Sequence, residues 1–263
     1  IGGSTNVLIG PEGGNPSSVV VLPSGKTHSG STTIRSGTLR IVADSSFGAV
    51  PSGPVPDAII INGGVLSGPS SDITIHTRRG FQIGAQGATI NVPGGGGILR
   101  IGGLIADLPG ENGVLRTAGS GVLVLSGSNT YSGGTWVVPG SQLAIRGNRA
   151  VGDGPLVLTG GLIRATADAS AITYVSNHVA LAANSSVGAN NGKSLVFLGP
   201  VAILHGDRTI TSTGNDLTYF DGPIGDDGNG YGLTKAGSGT IILRGTNTFT
   251  GPLRVTAGTL RLA

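Results

Sequence analysis

The carboxylates that could act together in this chain gather in one stretch, Asn215–Asn229, which holds Asp216, Asp221, Asp226, Asp227 and Asn229. Two carboxylates on one surface can work as a general acid/base pair or hold Ca²⁺. The run Asp226-Asp227-Gly228-Asn229-Gly230 has the composition of a calcium loop, yet lacks the alternating ligands and terminal Glu of an EF-hand. A solvated turn explains it better. His28, His76, His178 and His205 are far apart and show no metal-ligand spacing. No G-x-S-x-G elbow activates a serine, and Gly94–Gly97 lacks the Lys-Ser/Thr of a phosphate loop. Tyr131, Trp136 and Phe249 could stack on sugars, but packing at a turn is the stronger reading. No catalytic, cofactor-binding or metal-binding residue is assigned, no cofactor is expected, and the chain reads as a non-enzyme.

The elements that would position such groups repeat. Ala118–Gly133 (AGSGVLVLSGSNTYSG) recurs at Ala236–Gly251 (AGSGTIILRGTNTFTG), shifted by 118 residues. A more worn copy matches Val19–Leu22 and Thr27–Gly30 to Val122–Leu125 and Thr130–Gly133 at an offset of 103. In each copy a second glycine follows: Gly30/Gly37, Gly133/Gly140 and Gly251/Gly258. Short apolar runs bounded by glycine read as strands, with Gly, Asn and Ser supplying the turns. Val122–Leu125, being continuously apolar, reads as a strand covered on both faces. The expected repeat-turn residues are Gly30, Gly37, Gly119, Gly121, Asn129, Gly133, Gly140, Gly160, Gly161, Gly237, Gly239, Asn247, Gly251 and Gly258. The Asn129-type positions should be equivalent in role and, lying several turns apart, should not touch. Motif-bearing units lie near residues 19–66, 118–163 and 236–262. The first carries about seven extra residues within the Pro-rich segment Pro51–Pro56, which reads as a surface loop.

Composition limits the fold further. Of 263 residues 50 are Gly, out of G-X-Y register, which excludes collagen. With 38% hydrophobic and 11% charged residues the chain has the wrong balance for disorder, and 4% aromatics is thin for a globular sandwich core. A solenoid of short strands fits instead. Three strands and roughly 20–25 residues per turn give about 10–12 turns and a rod on the order of 50 Å. Charge is +3 with scattered arginines, so no nucleic-acid surface is expected. No apolar run approaches the roughly 20 residues that span a bilayer.

Residues Asn129–Ile163 (NTYSGGTWVVPGSQLAIRGNRAVGDGPLVLTGGLI) closely resemble the autotransporter-associated β-strand repeat, the passenger-associated transport repeat of type V secretion. The resemblance rests on Asn129, Thr130, Tyr131, Gly133, Gly134, Thr135, Gly140, Leu143, Gly152, Gly154, Gly160 and Gly161. The third copy keeps Asn247, Thr248, Phe249, Gly251, Gly258 and Leu260 but has Pro252 at the second glycine, and the first has His28 at the aromatic position. The resemblance implies an all-β fold, a right-handed parallel β-helix, exported through the outer membrane of a Gram-negative-type bacterium to the cell surface or beyond. It implies a structural or adhesive role, with a secreted carbohydrate-active enzyme as the alternative. Expected partners are the chain itself, end to end or laterally, other surface proteins, and glycans. Because the third copy breaks off after Thr259–Leu262, the chain is expected to be one continuous solenoid that forms part of something longer or stacks head to tail.

Overall fold

The computed structural model describes residues 2–11, 14–189, 192–214 and 217–263. Glycine breaks the apolar runs so often that strands stay two to seven residues long. Among the described residues the only helical element is one 3-10 turn, Asp44–Phe47. Such short strands cannot hold together as hairpins. They pair in parallel with the strand one coil earlier and one coil later, as Val122–Leu125 does with Ile98–Ile101 and Gln142–Ile145. The result is a parallel β-solenoid of about 11 turns, on the order of 50 Å long at ~4.8 Å per ladder step.

Two faces run nearly the whole length. Sheet I has ten strands, from Val19–Leu22 to Ile224–Gly225, and sheet II has nine, from Ile73–Ile75 to Leu253–Val255. The third face is split into two five-stranded sheets. One spans Val7–Ile9 to Ile105–Asp107, and the other Ile172–Val175 to Thr259–Leu262. Between them loops replace the strand for two coils. Coil length varies at these corners: Leu115 pairs with Thr135, 20 residues on, whereas Thr38 pairs with Val65, 27 residues on.

The core is a set of apolar columns. Ile73, Leu99, Leu123, Leu143, Ile163 and Val187 stack in register on sheet II, all buried. Phe197 and Phe220 stack on the third face with ring centroids 4.9 Å apart. The strands are not covered on both faces, contrary to the expectation for Val122–Leu125. Leu123 and Leu125 are buried while Val122 and Val124 are only half-buried, because each sheet has the core on one side and solvent on the other. The Pro-rich insertion is not all loop either. A strand, Val55–Ile61, begins inside it, with a register shift between Val55 and Ile59 that accommodates Pro56.

The three motif copies do not sit on one side of the rod. Each runs strand, loop, strand, strand, and its loop takes the place of the strand on one face. The first copy occupies Val19–Leu22, Thr32–Ile34 and Thr38–Ile41, so its loop lies on the face of sheet II. In the second the strands are Val122–Leu125, Thr135–Val137 and Gln142–Ile145, and the loop lies on the third face. The third uses Thr240–Leu243, Leu253–Val255 and Thr259–Leu262, which puts its loop on the face of sheet I. Equal local structure therefore recurs with a one-face rotation per copy. An offset in sequence counts residues and not faces.

Candidate functional site

The most specific polar geometry in the chain is a clasp at the loops of the second and third motif copies; the first copy, with Lys26 at the asparagine position, lacks it. Asn129 is buried and joins three coils: its Oδ1 accepts from Ile105 N–H at 2.9 Å, and its Nδ2 donates to the Ala150 carbonyl at 2.6 Å. Ser132, three residues on, gives its N–H and its hydroxyl (2.7 Å) to the Asp107 carboxylate of the coil below. The third copy repeats this. Asn247 Oδ1 accepts from Ile224 N–H at 3.0 Å, and Thr250 gives its N–H and its hydroxyl (2.9 Å) to Asp226. The partners form an Ile-x-Asp pattern, Ile105-Ala106-Asp107 and Ile224-Gly225-Asp226. Sequence reading missed it because its members are non-local: Ile105 lies 24 residues before Asn129, and Ile224 lies 23 before Asn247. The recurrence of Ile-x-Asp one coil ahead of Asn-Thr-aromatic was the available signal.

Behind the second clasp the Tyr131 ring is fully buried, and its O–H donates to Thr135 Oγ1, which in turn donates to the Val151 carbonyl at 2.8 Å. Burial pushes the Tyr131 phenol well above its ordinary value, so it stays a neutral donor. Phe249 is partly buried against the core. Trp136 instead faces outward on sheet I, with the Arg116 guanidinium 5.3 Å from its ring centroid. The packing role expected for all three aromatics holds for two of them.

The expected turn glycines fall into two groups. Gly37, Gly119, Gly140, Gly160, Gly237 and Gly258 have positive φ, between 69° and 125°. Gly30, Gly121, Gly133, Gly161, Gly239 and Gly251 lie where a side chain would meet atoms of the preceding coil. Gly133 illustrates the second group: a Cβ there would sit 2.7 Å from the Gly113 carbonyl carbon. Because that neighbour is backbone, Gly133→Ala is expected to lower stability by about 1–3 kcal/mol in urea denaturation.

The acidic cluster does not converge. Asp216 lies outside the described residues. Asp221 faces Arg244 at 3.6 Å, and Asp227 is exposed in a left-handed turn with φ 51°. Asp226 is consumed by protein donors, accepting from Gly228 and Tyr231 N–H at 3.1 and 2.8 Å as well as from Thr250. Burial alone would raise its pKa; these donors outweigh that and hold it below the usual carboxylate value. A depressed folded-state value means stability that is present above the ordinary Asp range, about 3.9, and lost as pH falls through the folded value. The wild-type advantage over Asp226→Asn in urea midpoint is therefore expected to shrink as pH drops below that range. Of the histidines, His28 is buried, His76 half-buried, and His178 and His205 exposed. Among the described residues no three His, Cys, Asp or Glu groups come together as metal ligands.

A family model described as passenger-associated-transport-repeat matches residues 19–41, 115–138 and 233–262. These ranges contain the strands that flank each loop. The chain thus carries passenger-associated transport repeats. Among curated proteins it is 30% identical over 254 residues to the adhesin BmaC autotransporter of Brucella suis biovar 1 (strain 1330). That alignment covers 90% of this chain and 6% of the adhesin, so the chain spans a small fraction of the relative it matches. No solved structure matches. The passenger repeats and the autotransporter relative make this an exported protein of the cell surface or extracellular space. Among the described residues no helix is long and apolar enough to cross a membrane.

Proposed function

We propose that this chain is a non-enzymatic, adhesive and structural passenger segment, a rigid shaft that presents its side faces to ligands. The observation that carries the reading is the clasp, in which Asp107 and Asp226 are engaged by backbone and hydroxyl donors that hold neighbouring coils together. Carboxylates so engaged rigidify a rod and are poorly placed to move protons. The adhesin relative gives the surface role its direction. Partners on this reading are glycans or proteins met at a surface, or other copies of the chain.

Beads coated with the purified chain should be retained on cell monolayers or extracellular matrix, and the chain should turn over no member of a polysaccharide panel with or without Ca²⁺. Polysaccharide cleavage that Asp226→Asn or Asp227→Asn abolishes would overturn the reading.

A further inference from the structure

The first motif copy departs from the second at the buried tyrosine as well as at the clasp asparagine, which is Lys26 here, and a cavity opens beside the first of these. His28 stands where the second copy has Tyr131, and Thr32 stands where it has Thr135. In the second copy the phenol O–H closes onto the threonine. The shorter imidazole does not reach, and His28 Nδ1, His28 Nε2 and Thr32 Oγ1 are all buried without a hydrogen-bond partner. The carbonyl that Thr135 satisfies, Val151 O, has its counterpart in Phe47 O, which Arg79 takes at 3.0 Å. Next to His28 lies a cavity of ≈ 290 Å³ whose wall includes Asn6, Ser31, Asp57 and Arg79. Its outer rim includes the insertion peculiar to this copy: Pro51 and Val55, with the preceding Ala49, line both this cavity and an adjoining opening of ≈ 490 Å³. Loss of the tyrosine and gain of the insertion thus fall at the same corner.

We propose that this cavity binds one neutral hydroxylated ring, a single sugar residue at the end of a glycan. Three features select that chemistry. Burial, reinforced by the cations of Arg79 and Lys26, holds His28 below the usual imidazole value. A neutral imidazole offers one donor and one acceptor, the pair that a hydroxyl group complements. Arg79 is already neutralised by Asp44 at 3.0 Å, and among the described residues Asp57 on the wall has no ion pair, which disfavours an anion. Phe47, Pro51 and Val55 supply an apolar surface for the C–H face of a ring, while Asn6, Ser29 and Ser31 add polar groups around it. The adjoining opening leaves room for the rest of the glycan. The proposal rests on the adhesive reading and names its ligand class.

The test titrates the purified chain with neutral hexoses and N-acetylhexosamines while following the His28 ring nitrogens by nuclear magnetic resonance. At least one sugar should shift them saturably. His28→Tyr restores the residue of the second copy, and should weaken that sugar by about tenfold or more while keeping or raising the thermal midpoint. Asp57→Ala changes an exposed wall residue, and should weaken binding with the midpoint unchanged. The proposal is overturned if no sugar shifts the ring, if inorganic phosphate does so instead, or if both variants bind as wild type. Coated beads carrying His28→Tyr that adhere as wild type would also sink it, leaving the adhesive reading intact. Sugar binding by a chain that adheres to nothing would sink the adhesive reading alone.

Discussion

Asp44→Ala is expected to cost about 3–5 kcal/mol, because it strands a buried cation. The Arg79 side chain is 3% exposed and pairs with Asp44 through Nε at 3.0 Å and Nη2 at 3.3 Å. The same carboxylate accepts the His76 N–H at 2.9 Å, so its removal also orphans a backbone donor. The guanidinium would keep only the carbonyls of Phe47 and Gly48. Those dipoles do not replace a charge. Arg79→Met with Asp44→Asn removes both charges and should recover part of the loss, giving a favourable coupling energy in a double-mutant cycle. A solenoid's coils contact only their neighbours, so the damage should stay local. Hydrogen exchange should speed up across residues 28–83 and stay near wild type beyond residue 140. Uniform acceleration along the chain would show that the pair does not act through its own coils.

Asn129→Leu is the second large effect, about 3 kcal/mol or more. The side chain is fully buried, and its loss leaves Ile105 N–H and the Ala150 carbonyl unsatisfied in the interior. Each such group costs about 1–3 kcal/mol. Asn129→Asp should be no milder, since a carboxylate oxygen would then face the Ala150 carbonyl oxygen. Asn247→Leu should cost less, because Asn247 is only half-buried and its one side-chain bond here is to Ile224. Urea denaturation of the three variants checks the order. Equal losses at Asn129 and Asn247 would mean that the bond to the upper coil contributes nothing.

The sequence made the solenoid legible because its information is local: a short apolar run between turn residues is too short to bury its own face and must pair with similar runs one coil away. Val19–Leu22, Val122–Leu125 and Thr259–Leu262 lie where that pattern puts them. Strands with weaker apolar character, such as Ser185–Gly188 and Leu233–Ala236, form because ladder partners on both sides complete their hydrogen bonds. That is a tertiary cause with little local trace. The face of each loop was illegible for a related reason. Coils vary in length, so the offsets of 103 and 118 residues carry the copies through whole turns plus one face. The Ile-x-Asp partners of the clasp and the cavity at His28 both depend on which residues become neighbours one coil away. Asp44, far from any other acid in sequence, pairs with an arginine 35 residues later.

Pulsed electron resonance between nitroxide labels tests the rotated arrangement of the passenger repeats most directly. Trp136 and Thr248 are both exposed, and Thr248 lies over Gly225 on the face of sheet I. Trp136, Val157, Ala180, Ala202 and Gly225 climb that face in register, which puts Thr248 five ladder steps above Trp136. Labels there should lie about 24 Å apart, at ~4.8 Å per step. Labels at Thr130 and Thr248, equivalent positions in the second and third copies, should lie farther apart, since their loops occupy different faces. The opposite order, with Thr130 and Thr248 the closer pair, would contradict the rotation.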